Sequence, residues 1–201
     1  MFDAIIYSTC KYTCYIILKI FCQIKLINYQ NIPAKGPAII ACNHVSYLDP
    51  LIAGFGTRRR INFIARASLF KNPLFGWFLR RLGAFPLKRE GGSDASAIKR
   101  SLRLLRSGKI VVIFPEGTRS RDGNLQKGQS GVGMLAFKSN AIVVPVCISG
   151  SEKALPRNSK FLKPATIIAR FGSPLIPTRG KERPDYQKFS LQVMQAIESL
   201  H

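Results

Sequence analysis

The sequence predicts an α/β fold: a single domain with a mostly buried mixed sheet covered by helices, preceded by an amphipathic N-terminal helical segment that binds membranes. Three observations carry this expectation. Short apolar runs bounded by Gly and Pro recur along the chain, stretches of helical spacing separate them, and residues 4–27 form a mostly apolar stretch whose only charged residues are lysines. Strands that alternate with helices imply a sheet buried on both faces.

Residues 4–27 are rich in Ile, Leu, Tyr, Phe and Cys, but Lys11, Lys19 and Lys25 interrupt them. No uncharged run reaches the roughly 20 residues that a simple spanning helix needs. At about 100° per residue the lysines share an arc of about 120°, opposite Ile16, Ile17, Ile20, Phe21 and Ile24. This predicts an interfacial helix within an N-terminal segment, residues 1–30, with its lysines among lipid phosphates, each worth about 1 kcal/mol on an anionic surface. The competing reading is a helix packed on the domain. No small-residue cleavage site follows the apolar run, which argues against a cleaved signal peptide.

After Pro33 and Gly36-Pro37, the run Ala38-Ile39-Ile40-Ala41 reads as a buried strand, and Ile61-Asn62-Phe63-Ile64 as another. A helix over 73–81 and a short strand at 85–87 follow. The next helix covers 93–107, with Ala97, Ile98, Leu102 and Leu105 on its apolar face. Ile110-Val111-Val112-Ile113-Phe114 is the clearest strand of all. A short helix over 129–139, strands at 142–146 and 166–169, and an amphipathic helix over 184–200 complete residues 31–201 as one domain.

The 31 Lys+Arg against 10 Asp+Glu give a formal charge of +21, so the chain seeks anions: a phosphorylated substrate, an anionic membrane or nucleic acid. Arg58-Arg59-Arg60, Arg80-Arg81 and the Lys99, Arg100, Arg103, Arg106 stripe are the only support for a nucleic-acid-binding module. No nucleic-acid motif accompanies them, so no nucleic acid is expected as a partner. Five cysteines without CxxC spacing exclude a zinc pattern and fit a reducing compartment. No metal and no cofactor are expected.

The chain holds two histidines, one of them the last residue, His201. A reaction that needs an imidazole base therefore points to His44. Asp49, five positions on, is placed to orient that imidazole, and because Pro50 follows it Asp49 also suits the start of a helix. After the clearest strand, Glu116-Gly117-Thr118-Arg119 supplies a glycine turn, a hydroxyl and a guanidinium, a suitable cradle for phosphate or else a solvated basic loop. Cys42 is a conceivable nucleophile, but the end of an apolar strand is where a buried, inert thiol is expected.

Asn43-His44 with Asp49, followed roughly seventy residues later by Phe114-Pro115-Glu116-Gly117-Thr118-Arg119-Ser120, resembles the glycerolipid acyltransferases of the 1-acylglycerol-3-phosphate acyltransferase family. The family's blocks Asn-His-x-x-x-x-Asp and Phe-Pro-Glu-Gly-Thr-Arg-Ser are both present. Residues 63–69 with 83–89 resemble its second block, and Ile142-Val143-Val144-Pro145-Val146 its fourth, so the likeness covers about residues 31–150. Arg66 stands where the family often has Lys, and Lys88 where it often has an acidic residue.

The resemblance implies transfer of a fatty acyl group from an acyl-carrier protein or coenzyme A thioester to the free hydroxyl of lysophosphatidic acid, giving phosphatidic acid in phospholipid biosynthesis. It makes residues 31–201 the catalytic domain, His44 the general base oriented by Asp49, and Glu116, Gly117, Thr118 and Arg119 the holders of the glycerol phosphate. Arg66 and Arg89 become further phosphate contacts. Another lysophospholipid or glycerol 3-phosphate is the alternative acceptor. The expected location is the cytoplasmic face of the cell membrane, with the anionic surface, the lysophospholipid and the acyl carrier as partners.

Overall fold

A computed structural model describes residues 2–87, 95–120, 123–156, 159, 161–178 and 184–201. In chain order it contains α1 (Phe2–Phe21), β1 (Cys22–Ile27), β2 (Ala38–Cys42), α2 (Asp49–Phe55), β3 (Ile61–Arg66), α3 (Pro73–Arg81) and β4 (Ala84–Leu87). Next come α4 (Ala95–Arg106), β5 (Ile110–Ile113), α5 (Gly131–Ser139), β6 (Ile142–Ser149), α6 (Ser151–Ala154), β7 (Ala165–Phe171) and α7 (Tyr186–Glu198).

The seven strands form one mixed sheet in the order β1-β7-β6-β2-β5-β3-β4. Strands β6, β2, β5, β3 and β4 run parallel, whereas β7 is antiparallel to β6 and β1 follows β7. Five strands therefore end at the same edge of the sheet, where ligands of open α/β sheets gather. Alternation along each strand divides the core between two faces. Ala38, Ile40, Ile110, Val112, Val144 and Val146 pack with Leu18, Ile52, Leu79 and Leu82 under α1, α2 and α3. Ile39, Ala41, Val111 and Val143 pack with Leu105, Leu135, Phe137 and Val193 under α4, α5 and α7.

The N-terminal segment differs from the expectation. Its helix ends at Phe21, and Cys22–Ile27 is an edge strand in register with Ala165–Arg170. Cys22, Ile24 and Leu26 alternate with Gln23 and Lys25, the period of a half-buried strand, and pairing with β7 satisfies backbone groups that a helix end leaves open. Lys25 therefore lies on the sheet.

Lys11 is not a lipid-facing residue either. It is buried, its ammonium donates to the carbonyl of Thr57, and burial lowers its pKa to about 8. Tyr7 Oη accepts from Ile61 N at 3.1 Å, so the first half of α1 is bound to the domain. Its second half exposes Ile16, Ile17, Ile20 and Phe21, as the predicted apolar face requires. By length and composition alone, Ala4–Phe21 is long and apolar enough to cross a membrane.

Basic residues proposed for an alternative nucleic-acid face have intramolecular partners. Arg59 donates to the carbonyls of Pro33, Gly36 and Gly108, joining three turns at the amino edge of the sheet. Arg60 and Arg100 lie over the rings of Tyr7 and Phe85.

Candidate active site

The site forms where β2, β5 and β6 end. As β2 stops, the Asn43 side chain takes over its pairing with β6: Nδ2 donates to Ile148 O at 2.9 Å and Oδ1 accepts from Ile148 N at 2.8 Å. The amide thus extends the ladder by one step while the backbone turns away at His44.

The buried Asp49, in the first turn of α2, fixes the loop from inside. Its Oδ2 accepts from His44 Nδ1 at 2.9 Å, Val45 N at 2.8 Å and Ser46 N at 2.7 Å, and its Oδ1 accepts from Ser151 Oγ at 2.6 Å. A carboxylate oxygen already receiving two backbone N–H groups acts as an acceptor toward the imidazole. Nδ1 therefore carries the ring proton and Nε2 presents its lone pair, the arrangement of a general base. His44 stacks on Phe114, with ring centroids 3.9 Å apart, and its side chain remains 17% exposed, enough to meet a substrate.

The loop after β5 holds His44 from the other side. Glu116 Oε1 accepts His44 N at 2.9 Å, Glu116 Oε2 accepts Gln126 N at 3.0 Å, and Ser120 N donates to His44 O at 2.8 Å. Both backbone groups of His44 are thereby bound to this loop. Glu116 is buried, and desolvation raises its pKa while the two N–H donors oppose that rise. Gly117 turns the chain at φ 72°, and a Cβ there would approach Gln129 Nε2 to 2.7 Å. This is a left-handed position where glycine is favoured.

Arg119 Cζ sits 3.6 Å from the ring centroid of Tyr47, so the guanidinium is carried to the His44 loop by an aromatic face. Thr118 Oγ1 donates to Gln126 Oε1 at 3.3 Å, and both Gly117 and Thr118 are exposed. Arg66 is exposed at the carboxyl end of β3, separated from β2 by β5. Arg89 and Lys88 lie outside the described residues.

Cys42 is fully buried, and burial together with Asp49 and Cys147 pushes its thiol well above the ordinary value, against nucleophilic use. Among the described residues no group of His, Cys, Asp and Glu is arranged to hold a metal ion. Three contributors escaped the sequence reading: Ser151, Gln126 and the stacking face of Phe114. Ser151 had a signal, since it follows Gly150 at the end of a parallel strand. Gly150 adopts φ 84°, and a Cβ there would meet Thr166 O at 2.0 Å.

The family model described as Acyltransferase matches residues 23–149, which include all but the first residue of β1, both loops and the whole of β6. A 1-acyl-sn-glycerol-3-phosphate acyltransferase of Bacillus subtilis (strain 168) is 35% identical over 158 residues, covering 77% of each chain. A chloroplastic protein of that name from Arabidopsis thaliana is 34% identical over 142 residues, and the chain spans only 40% of its length. The crystal structure of a 1-acyl-sn-glycerophosphate acyltransferase from Thermotoga maritima matches with a TM-score of 0.77 and 25% identity, over 96% of this chain and 79% of that one. A family match over more than half the sequence, with the histidine and arginine loops inside it, means that the chain belongs to the acyltransferase family.

Proposed function

We propose that the protein moves a fatty acyl group from an acyl thioester to the free hydroxyl of 1-acylglycerol 3-phosphate, producing phosphatidic acid. The observation that carries this reading is the imidazole of His44, held at Nδ1 by buried Asp49 and by both backbone groups, in a loop that also receives Arg119 through Tyr47. Relatives of the same family bear the name of this activity.

His44 Nε2 takes the proton of the acceptor hydroxyl as its oxygen forms a bond to the thioester carbonyl carbon. The tetrahedral adduct collapses with cleavage of the C–S bond, and the imidazolium returns its proton to the departing thiolate. No acyl-enzyme forms, in keeping with the inert surroundings of Cys42. Asp49 holds the tautomer and stabilises the imidazolium.

Arg119 is the group suited to the acceptor's phosphate, with Gly117 and Thr118 beside it and exposed Arg66 on the flank. Glu116 acts through its two N–H partners as a positioning residue. A carboxylate is poorly suited to contact phosphate, since like charges repel at short range.

The exposed half of α1 and the formal charge of +21 support attachment to an anionic membrane. Five free cysteines suit the cytoplasmic side of that membrane. Coenzyme A and acyl-carrier protein are both anionic donors that suit a basic surface.

The test incubates the purified protein with lysophosphatidic acid and each acyl thioester, beside His44→Ala and Arg119→Ala. Loss of transfer in His44→Ala and a raised acceptor KM in Arg119→Ala are the expected results. Unchanged transfer in His44→Ala removes the mechanism.

A further inference from the structure

Three segments far apart in sequence bring large apolar side chains to the carboxyl edge of the sheet. α1 runs from the amino edge, where Tyr7 meets Ile61, to the carboxyl edge, where it hands over to β1 at Cys22. α3 starts at that same edge, a short turn after β3 ends, and its first residues include Leu74 and Phe75. The loop leading into β7 carries Phe161, and Cys22 Sγ donates to Lys163 O at 3.6 Å, which fastens this loop to the end of α1. α1 also packs against α3.

The three most exposed large apolar residues described are Phe161 at 80%, Leu74 at 76% and Ile20 at 74%. Each comes from a different one of these segments, so three separate pieces of the chain put their most exposed apolar side chains at the same edge. Each also has an exposed lysine close by in sequence: Lys163, Lys71 and Lys19 respectively. Apolar tips flanked by ammonium groups match a bilayer interface, with acyl chains at one depth and phosphates just above.

We propose that Ile20-Phe21, Leu74-Phe75 and Phe161 form one docking rim that seats the catalytic edge on an anionic lipid surface. A single amphipathic helix sets depth but leaves the domain free to roll about the helix axis. Three separated contacts define a plane and fix which way the His44 loop faces. The rim gives α3 and the loop before β7 a role that α1 does not fill alone. Its bearing on catalysis rests on the acyltransferase reading, whereas lipid binding itself is measured without turnover.

Trp77, the chain's only tryptophan, lies on α3 and is 47% exposed, so it reports on this rim directly. The full chain is mixed with phosphatidylglycerol vesicles whose acyl chains carry bromine, a contact quencher. Binding is expected to shift Trp77 emission to shorter wavelength and quench it. Leu74→Ser and Phe161→Ser are each expected to weaken vesicle partitioning about tenfold. Acyl transfer to acceptor dispersed in detergent should be unchanged in both, because neither residue belongs to the site. Unquenched Trp77 in the vesicle-bound protein, or full partitioning of the Leu74→Ser/Phe161→Ser double variant, overturns the rim. Intact docking without any acyl transfer supports the rim and removes the assigned reaction.

Discussion

Ser151 and Asp49 are 102 positions apart in the chain and meet at 2.6 Å, hydroxyl to carboxylate, with both residues fully buried. This contact ties the end of β6 to the loop that follows β2, and it holds the carboxylate oxygen that the imidazole does not use. Ser151→Ala leaves that buried oxygen without a donor, a loss of about 1–3 kcal/mol in similar settings. The expected result is a kcat lowered about tenfold with acceptor KM nearly unchanged, read from steady-state kinetics. A raised KM at constant kcat assigns the serine to substrate binding instead.

Glu116→Gln separates positioning from charge. The amide keeps one acceptor, but its NH2 group faces either His44 N or Gln126 N, both of which are donors. One backbone N–H then has no partner, at a cost of about 1–3 kcal/mol. A lower melting temperature together with reduced kcat is expected. A change confined to acceptor KM argues for direct phosphate contact.

Removal of Cys42 should spare the chemistry. Cys42→Ala deletes a fully buried sulfur and costs about 1 kcal/mol through the small cavity left behind. Acyl transfer by the purified variant is expected to persist, and wild-type activity to resist iodoacetamide. Loss of transfer in a folded Cys42→Ala protein points to an acyl-thioester intermediate on the enzyme.

Lys11 gives stability a distinctive pH dependence. Its pKa falls from the ordinary 10.5 to about 8 on burial, so between these values the unfolded chain holds the proton more firmly than the folded one. The penalty for charging the buried amine is fully present below pH 8 and is relieved as pH rises through this window. Stability attributable to Lys11 therefore increases with alkalinity. Urea denaturation of wild type and Lys11→Met at pH 7.5 and pH 10 should show the difference between them changing with pH. A constant difference shows that the amine titrates normally.

Much of the architecture was legible because buried parallel strands leave continuous apolar runs. Ile110–Ile113 and Ala38–Cys42 pair with each other and need only turn residues to announce their limits. The helix over 73–81 matched the structure because Asn72 caps it, accepting from Phe75 N, and Pro73 opens it. β1 was misread for a physical reason: its short alternating pattern adjoins an apolar helix, and only pairing with β7, more than 140 residues away, separates the two. Lys11 looked like a surface residue because the carbonyl that receives it, Thr57 O, is supplied by distant backbone. The dyad was visible as spacing, whereas Ser151 reaches Asp49 only through the order of strands in the sheet.

Asn43 separates the letters of its motif into two kinds. Its amide stands in for a missing peptide group and belongs to the architecture, whereas the His44 imidazole projects from a backbone that neighbouring loops hold whatever the side chain is. Mutational histories of the two positions should therefore diverge. A descendant that lost the imidazole but kept the asparagine would retain the fold and the Arg119 loop, a ready starting point for a protein that binds an anion without chemistry.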